Sequence, residues 1–327
     1  MGFGEIIGQQ KALETLRAAL AHGRLHHAYL FLGPEGVGKR TIGLALAQAL
    51  HCNEMADDSC GHCTNCLRIQ SGNHPDVRLI EPVAGKKEIS IQQIRSIEKE
   101  LSFRAFSGKK IVIIDPATLM NLSAQNALLK TLEEPPPDSL LILVASNAGG
   151  LLPTVRSRCL RIPFGPLPRE LIAGYLAAKQ TMTQADAQLV AAMSMGSLGA
   201  ALDLDREELV EQRRNWIETM CSLTPGNYQT VLNAAEALSG SREESLKFLA
   251  WVETWYRDLL IYNVTREARE LINLDLVKTI QQQSAAGNPE RIIVALSQAA
   301  GAAARIQRNL NRRMILEELF MAAVEAR

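Results

Sequence analysis

AYLFLGPEGVGKRT, residues 28–41, decides the fold. Ala28 to Leu32 is an apolar run of strand length. Gly33, Gly36 and Gly38 follow in a turn that opens into a helical pattern. Glycines in such a turn let backbone N–H groups face inward around phosphate, and the helix N-terminus adds its positive dipole end. Lys39 would reach the terminal phosphates, so the stretch reads as a phosphate-binding (Walker A) loop in its correct strand-to-helix context. That pattern requires Ser or Thr directly after the lysine, to ligate magnesium. Arg40 stands there instead. Thr41 comes one residue late, which is about 100° further round a helix. Binding of ATP and magnesium by this chain is therefore doubtful, and efficient hydrolysis is not expected.

Further short apolar runs bounded by turn residues lie at Asp76–Ile80, Ile111–Ile114, Leu140–Ala145 and Cys159–Ile162. Helical patterns alternate with them. Gln9–His22 has Leu13, Leu16 and Leu20 on one face, and Ser90 with Gln93 forms a capping box before Ile94, Ile97 and Leu101. Ser123–Glu134 is stopped by Pro135, Pro136 and Pro137. This alternation predicts an α/β domain with a mainly parallel sheet covered on both faces. The run Ile111–Ile114 ends in Asp115, an acid that could hold magnesium in the manner of a Walker B strand. The next position, which in hydrolytic sites carries the glutamate that activates water, is Pro116, and proline offers neither acid nor N–H.

Pro166 and Pro168 mark the end of the strand signals. Residues 169–204 read as short helices, with turns near Thr183 and Gly196. Long helices follow from about Asp205. One begins at a capping box of Ser241 and Glu244 and carries Phe248, Val252, Trp255, Leu259 and Tyr262 as one apolar stripe, read as core or subunit interface.

Four of the six cysteines fall at Cys52, Cys60, Cys63 and Cys66. Two CxxC steps sharing Cys63 suit a closed tetrahedral site of four thiolates, so a structural zinc ion is expected. Cys159 and Cys221 read as ordinary thiols. With 35 basic and 35 acidic residues the chain is neutral, which argues against a protein that holds nucleic acid alone, such as a sequence-specific zinc DNA-binding protein. No run of 18 or more apolar residues suggests a membrane span. MGFGEIIGQQ at the start lacks the basic-then-apolar form of a secretory signal, and the expected location is the cytoplasm.

HAYLFLGPEGVGK (27–39), SCGHCTNC (59–66), GNHPD (72–76), NALLKTLEEPP (126–136), LVASN (143–147) and RSRC (156–159) run in an order that resembles bacterial clamp-loader subunits of DNA polymerase III. The likeness is close over the first two domains. In the third it rests on helical character and NLNRRMILEEL (309–319). It implies a RecA-like AAA+ domain at 1–165 with a zinc module at 52–66, a three-helix lid at 166–204 and a helical collar for oligomerisation at 205–327. It also implies partners: gamma/tau and delta-type subunits in a hetero-pentameric ring, and the sliding clamp and primer-template DNA through that complex. The chain would then be a component of the DNA polymerase holoenzyme.

Three departures favour a member that has lost its ATP chemistry over a gamma/tau-type ATP-hydrolysing motor, the alternative reading. They are Arg40, Pro116, and Gly199 of GSLGAAL (196–202), where the motor subunits usually carry the sensor-2 arginine. Ser157-Arg158-Cys159 resembles the SRC motif, which implies that Arg158 is an arginine finger entering a neighbouring subunit's ATP site. Arg156 and Arg161 lie close by. Ser146 and Asn147 fall at the sensor-1 place, and Lys130 is a candidate for contact with DNA phosphate.

Overall fold

A computed structural model describes residues 2–325 except 107, 181, 205, 225 and 287, so Asp205, the expected start of the third domain, lies outside the described residues. The chain divides into two compact units, Met1–Pro168 with Ser197–Gly199, and Arg169–Gly196 with Ala200–Arg327.

The first unit runs α1 Gln10–Ala21, β1 Ala28–Leu32, α2 Lys39–His51, α3 Thr64–Gln70, β2 Val77–Ile80, α4 Ile91–Leu101, β3 Lys110–Ile114, α5 Leu122–Glu133, β4 Ser139–Ala145, α6 Pro153–Arg156 and β5 Leu160–Pro163. All five strands are parallel, in the order β2-β3-β4-β1-β5. Because side chains alternate along a strand, the three inner strands β1, β3 and β4 each feed two cores. Tyr29, Phe31, Ile111, Ile113 and Ile142 pack on one face with Leu13, Leu16, Ile42 and Leu46 of α1 and α2. Leu30, Val112, Ile114, Leu141 and Leu143 pack on the other with Ile94, Ile97, Leu128 and Leu132 of α4 and α5. Burial on both faces explains why these strands read as unbroken apolar runs rather than alternating ones. The expected helix start at Ser90 is present, its N–H donating to Gln93 Oε1 at 3.0 Å. At α5, Asn121 Oδ1 accepts the Ala124 N–H at 2.9 Å.

The second unit is helical: α7 Arg169–Lys179, α8 Gln184–Met193, α9 Leu198–Asp203, α10 Arg206–Ser222, α11 Tyr228–Leu238, α12 Arg242–Thr265, α13 Val277–Ala286, α14 Pro289–Gln307 and α15 Arg312–Glu325. Four of the five positions in the stripe predicted on α12, Phe248, Val252, Trp255 and Leu259, are buried, and the fifth, Tyr262, is half-buried. Phe248 lies edge-on to Phe320 and Trp216 with ring centroids 5.6 and 5.9 Å apart, a favoured aromatic geometry.

A polar knot sits in this unit. Asp258, fully buried, accepts the backbone N–H groups of Ile272 (3.0 Å) and Asn273 (2.8 Å) and the Asn273 Nδ2 amide (2.8 Å). Asn273 Oδ1 in turn accepts from buried Arg213 at 2.6 Å. Removing the carboxylate strands several buried donors at once. Asp258→Ala is expected to lower unfolding free energy by about 3 kcal/mol or more, read as a shifted midpoint in denaturant melts. A shift within about 0.5 kcal/mol, the range of surface substitutions, would show that the knot carries little of the stability.

Candidate functional site

The phosphate-loop residues lie together at the C-terminal end of β1. A Cβ at Gly33 would come within 2.1 Å of the Phe164 carbonyl oxygen, so that strand exit requires glycine. Gly36 has a φ of 69°, the left-handed region glycine tolerates, and a Cβ there would meet Ser197 Oγ at 2.1 Å. Gly38 caps α2 at a φ of 98°. The shape of the loop is therefore retained.

Its charges are not available in the usual way. Lys39, buried, donates from Nζ to the Gly33 carbonyl at 2.6 Å and to the Pro34 carbonyl. Burial lowers its pKa from the ordinary lysine value, while Asp115 and Glu35 pull it back up. Arg40 forms an ion pair with Asp115, its Nε 3.0 Å from Oδ2 but without hydrogen-bond alignment, and its Nη2 pairs with Glu81. A guanidinium thus stands against the carboxylate that would hold magnesium. Burial raises the Asp115 carboxyl above its usual range, against the opposing pull of Arg40 and Lys39. Thr41 sits half-buried in the first turn of α2.

Ser197 to Gly199, within GSLGAAL, lie against the same loop. Gly199 donates its N–H to the Gly36 carbonyl at 2.9 Å, and a Cβ on Gly199 would lie 3.0 Å from Gly36 Cα. The position predicted to lack a sensor-2 arginine is one where backbone touches backbone. Ser146 and Asn147 follow β4 in a turn, where Asn147 Oδ1 accepts the Gly150 N–H at 3.3 Å and its amide reaches Ser146 Oγ at 3.5 Å. The Asn147 side chain is thus used within its own loop.

Arg158 lies elsewhere, in the turn between α6 and β5. Tyr29 pairs with Leu160 and Leu32 with Pro163, so Arg158 is level with the start of β1, whereas the phosphate loop leaves its end. Five residues of strand separate the two ends by roughly 15 Å. The side chain is about one-third exposed; Nη2 pairs with Glu133 Oε1 at 2.6 Å and Nη1 donates to the Thr154 carbonyl at 2.9 Å. Lys130 is exposed on α5, one turn before Glu133. Cys159 is buried, and burial pushes its thiol up to about 12, which fits an inert core group.

Two contributors escaped the sequence reading. One is Glu133. The other is Gln125, also on α5 and buried, which donates to the Met120 carbonyl (3.0 Å) and the Gly150 carbonyl (3.1 Å) and accepts the Leu152 N–H (2.7 Å). It ties the segments following β3 and β4 to the start of α6. Both residues lie within NALLKTLEEPP or one residue before it, a motif quoted for its likeness without a role for either side chain.

The four clustered cysteines do converge. Cys52 ends α2, Cys63 caps α3 and Cys66 lies in its first turn. All four Sγ atoms lie within 4.8 Å of one another, and Cys60 and Cys66 are 4.0 Å apart. A tetrahedral thiolate site with metal–sulfur bonds near 2.3 Å requires sulfurs about 3.8 Å apart, so this donor set fits. Backbone N–H groups point at the sulfurs: Cys60 N–H at Cys52 Sγ (3.4 Å) and Cys63 N–H at Cys60 Sγ (3.2 Å). Burial works against a thiolate at Cys63, but N–H groups of Asn53 and Cys66 outweigh it and bring its pKa to about 6. The cluster can hold a metal ion. Among the described residues, no helix is long and apolar enough to cross a membrane.

Fold and loop together define a class: an AAA+ type phosphate-loop domain, here with Arg40 directly after the loop lysine and Pro116 directly after Asp115. The family described as DNA polymerase III, delta subunit, matches residues 8–168, and DNA polymerase III, delta subunit, C terminal, matches 207–323. DNA polymerase III subunit delta' of Bacillus subtilis is 31% identical over 325 residues, covering 97% of this chain and 96% of that protein. Its namesake from Escherichia coli is 31% identical over 318 residues, covering 94% and 92%. DNA polymerase III subunit tau/gamma of Haemophilus influenzae is also 31% identical, but over 237 residues, 69% of this chain and 34% of that protein. The chain belongs to the DNA polymerase III subunit delta' family.

Proposed function

We propose that this chain is the delta' subunit of a clamp loader, a largely non-catalytic ring member that supplies Arg158 to a neighbouring subunit's ATP site. It assembles with gamma/tau and delta-type subunits in a hetero-pentamer that places the sliding clamp on primed DNA. Residues 1–165 form the AAA+ domain, 166–204 act as the lid and 205–327 as the collar. The four cysteines hold one structural zinc ion, with no open position for chemistry.

The observation that carries this reading is the opposition of two ends of one sheet. At one end, Arg40 neutralises Asp115, Lys39 is drawn onto its own loop's carbonyls, and Pro116 leaves no acid to activate water. At the other end, Arg158 stands too far from that loop to serve it and partly open to solvent. An arginine so placed suits phosphate on another chain, since it stays charged and spreads donors over several oxygens. The tau/gamma relative does not favour a motor role here, because the motor's chemical groups are the ones this chain lacks.

The purified chain alone is expected to turn over ATP far below about 1 per second, the low end of ordinary enzymes. Steady-state phosphate release with and without magnesium measures this. Turnover at or above that rate would restore the gamma/tau-type reading.

A further inference from the structure

Arg158 is held from outside its own motif, and the holder is on α5. Glu133 Oε1 grips Nη2 at 2.6 Å while the Thr154 carbonyl receives Nη1 at 2.9 Å, with Ser157 Oγ at 3.5 Å from the same nitrogen. These are different nitrogens of one planar fork, so the guanidinium is fixed in rotation as well as position. A guanidinium has five N–H donors. Among the described residues, Nε–H and the second Nη2–H have no acceptor, which leaves two donors for an oxyanion. The segment that carries Arg158 is anchored by the same helix, because Gln125 accepts the Leu152 N–H at 2.7 Å directly before α6. Gln125 and Glu133 are eight residues apart, a little over two turns of α5, so one helix holds the segment at two points.

From this geometry we infer that Glu133 is a positioning residue for Arg158: it sets the guanidinium before the neighbouring nucleotide arrives. The inference rests on the trans-acting role proposed for Arg158. An untethered arginine spends most of its time in other rotamers, and ordering it at the moment of reaction costs rate, whereas a preset donor does not. Glu133 itself is half-exposed and fills no core, so its removal spares the fold. It also does not touch the nucleotide, so it should act on the chemical step rather than on ATP binding, which belongs to the neighbour's own phosphate loop.

The test is a loader assembled from wild-type partners and Glu133→Ala, Arg158→Ala or doubly substituted subunits, assayed with clamp and primed DNA. Glu133→Ala is expected to lower ATP turnover by about tenfold at the affected site, with half-saturating ATP within about twofold of wild type. The double variant is expected to be no slower than Arg158→Ala alone, since both act through one guanidinium. Sizing and melting confirm assembly and fold. If Glu133→Ala fails to assemble, the isosteric Glu133→Gln carries the test, and wild-type turnover with it overturns the inference. Slow Arg158→Ala beside wild-type or faster Glu133→Ala turnover also overturns it, the faster case meaning that Glu133 parks the arginine. Wild-type turnover with Arg158→Ala sinks the underlying role instead, and the positioning with it.

Discussion

A loader carrying Arg158→Ala in this subunit, with all other subunits wild type, is expected to assemble normally and hydrolyse ATP slowly. The side chain is partly exposed, and its partners are a surface carboxylate and a carbonyl, so its loss leaves no buried group stranded. On the role proposed for Arg158, what disappears is charge at the transferring phosphate of one neighbouring site. An arginine finger contributes about 10³-fold or more in rate at the site it serves. If the ATP sites of the ring fire in sequence, the whole loader falls by a similar factor. If they fire independently, one site falls silent and the remainder continue. Arg158→Lys should recover little, because an ammonium lacks the planar fork that meets Glu133, Thr154 and an oxyanion together. Steady-state ATPase and clamp loading with primed DNA measure the effect. Unchanged rates in an assembled loader would reduce Arg158 to a surface arginine.

The second large effect concerns the cysteine module. Metal analysis of the reduced protein should find about one zinc per chain, and Cys63→Ser should bring that well below one. Four-thiolate zinc sites contribute folding free energy of about 10 kcal/mol or more in small modules, because the site does not exist in the unfolded chain. Here the segment between Cys52 and Cys63 has little else to hold it. Of its residues only Ser59 is buried, while Met55 is exposed. Its attachments to the rest of the domain include Asn65 Nδ2 to Asn53 Oδ1 at 3.2 Å, Arg17 Nη2 to Asp58 Oδ2 at 3.5 Å, and the Phe3 N–H to Asp58 Oδ1 at 2.8 Å. Stripping the metal should therefore increase amide exchange and proteolysis across 52–66 and loosen the N-terminal turn at Phe3 that Asp58 receives. The strands should hold their protection. Wild-type protein purified reduced, without chelator and free of metal would count against the site, as would a Cys63→Ser chain with full zinc.

Much of the first unit was written in short-range pattern. The inner strands are short apolar runs, the helix starts are set by groups three residues apart, and the clustered cysteines span only 52–66. Those features depend on the chain's own periodicity and spacing, so they are legible without knowing what lies opposite. The losses at Arg40 and Pro116 were legible for the same reason, since each is an identity change at one place in a local motif. Edges moved by only a residue or two, as where the run read from Asp76 becomes a strand at Val77, because strand ends are decided by pairing with the neighbour.

What each lost or retained group does instead depended on long-range closure. Arg40 meets Glu81 only because β2 and β3 bring 81 and 115 together at adjacent strand ends. Gly199 lies against Gly36 although the two are 163 positions apart in sequence, and nothing in GSLGAAL announces that its glycine is needed for backbone contact with the phosphate loop. Gln125 and Glu133 read as polar positions on an amphipathic helix, and a polar residue on a helix surface has no partner until another segment folds over it. The same holds for Asp258 and Asn273, whose bonds exist only once the chain after α12 returns to that helix. Sequence by itself determined which elements form and which chemical groups are present or missing. Tertiary structure decided which of those groups face one another: Arg40 pairs with Asp115 and Glu81 beside the phosphate loop, and Arg158 pairs with Glu133 at the opposite end of the sheet. A charged side chain of flexible reach acquires its partner from the packing of elements distant in sequence, not from its neighbours along the chain.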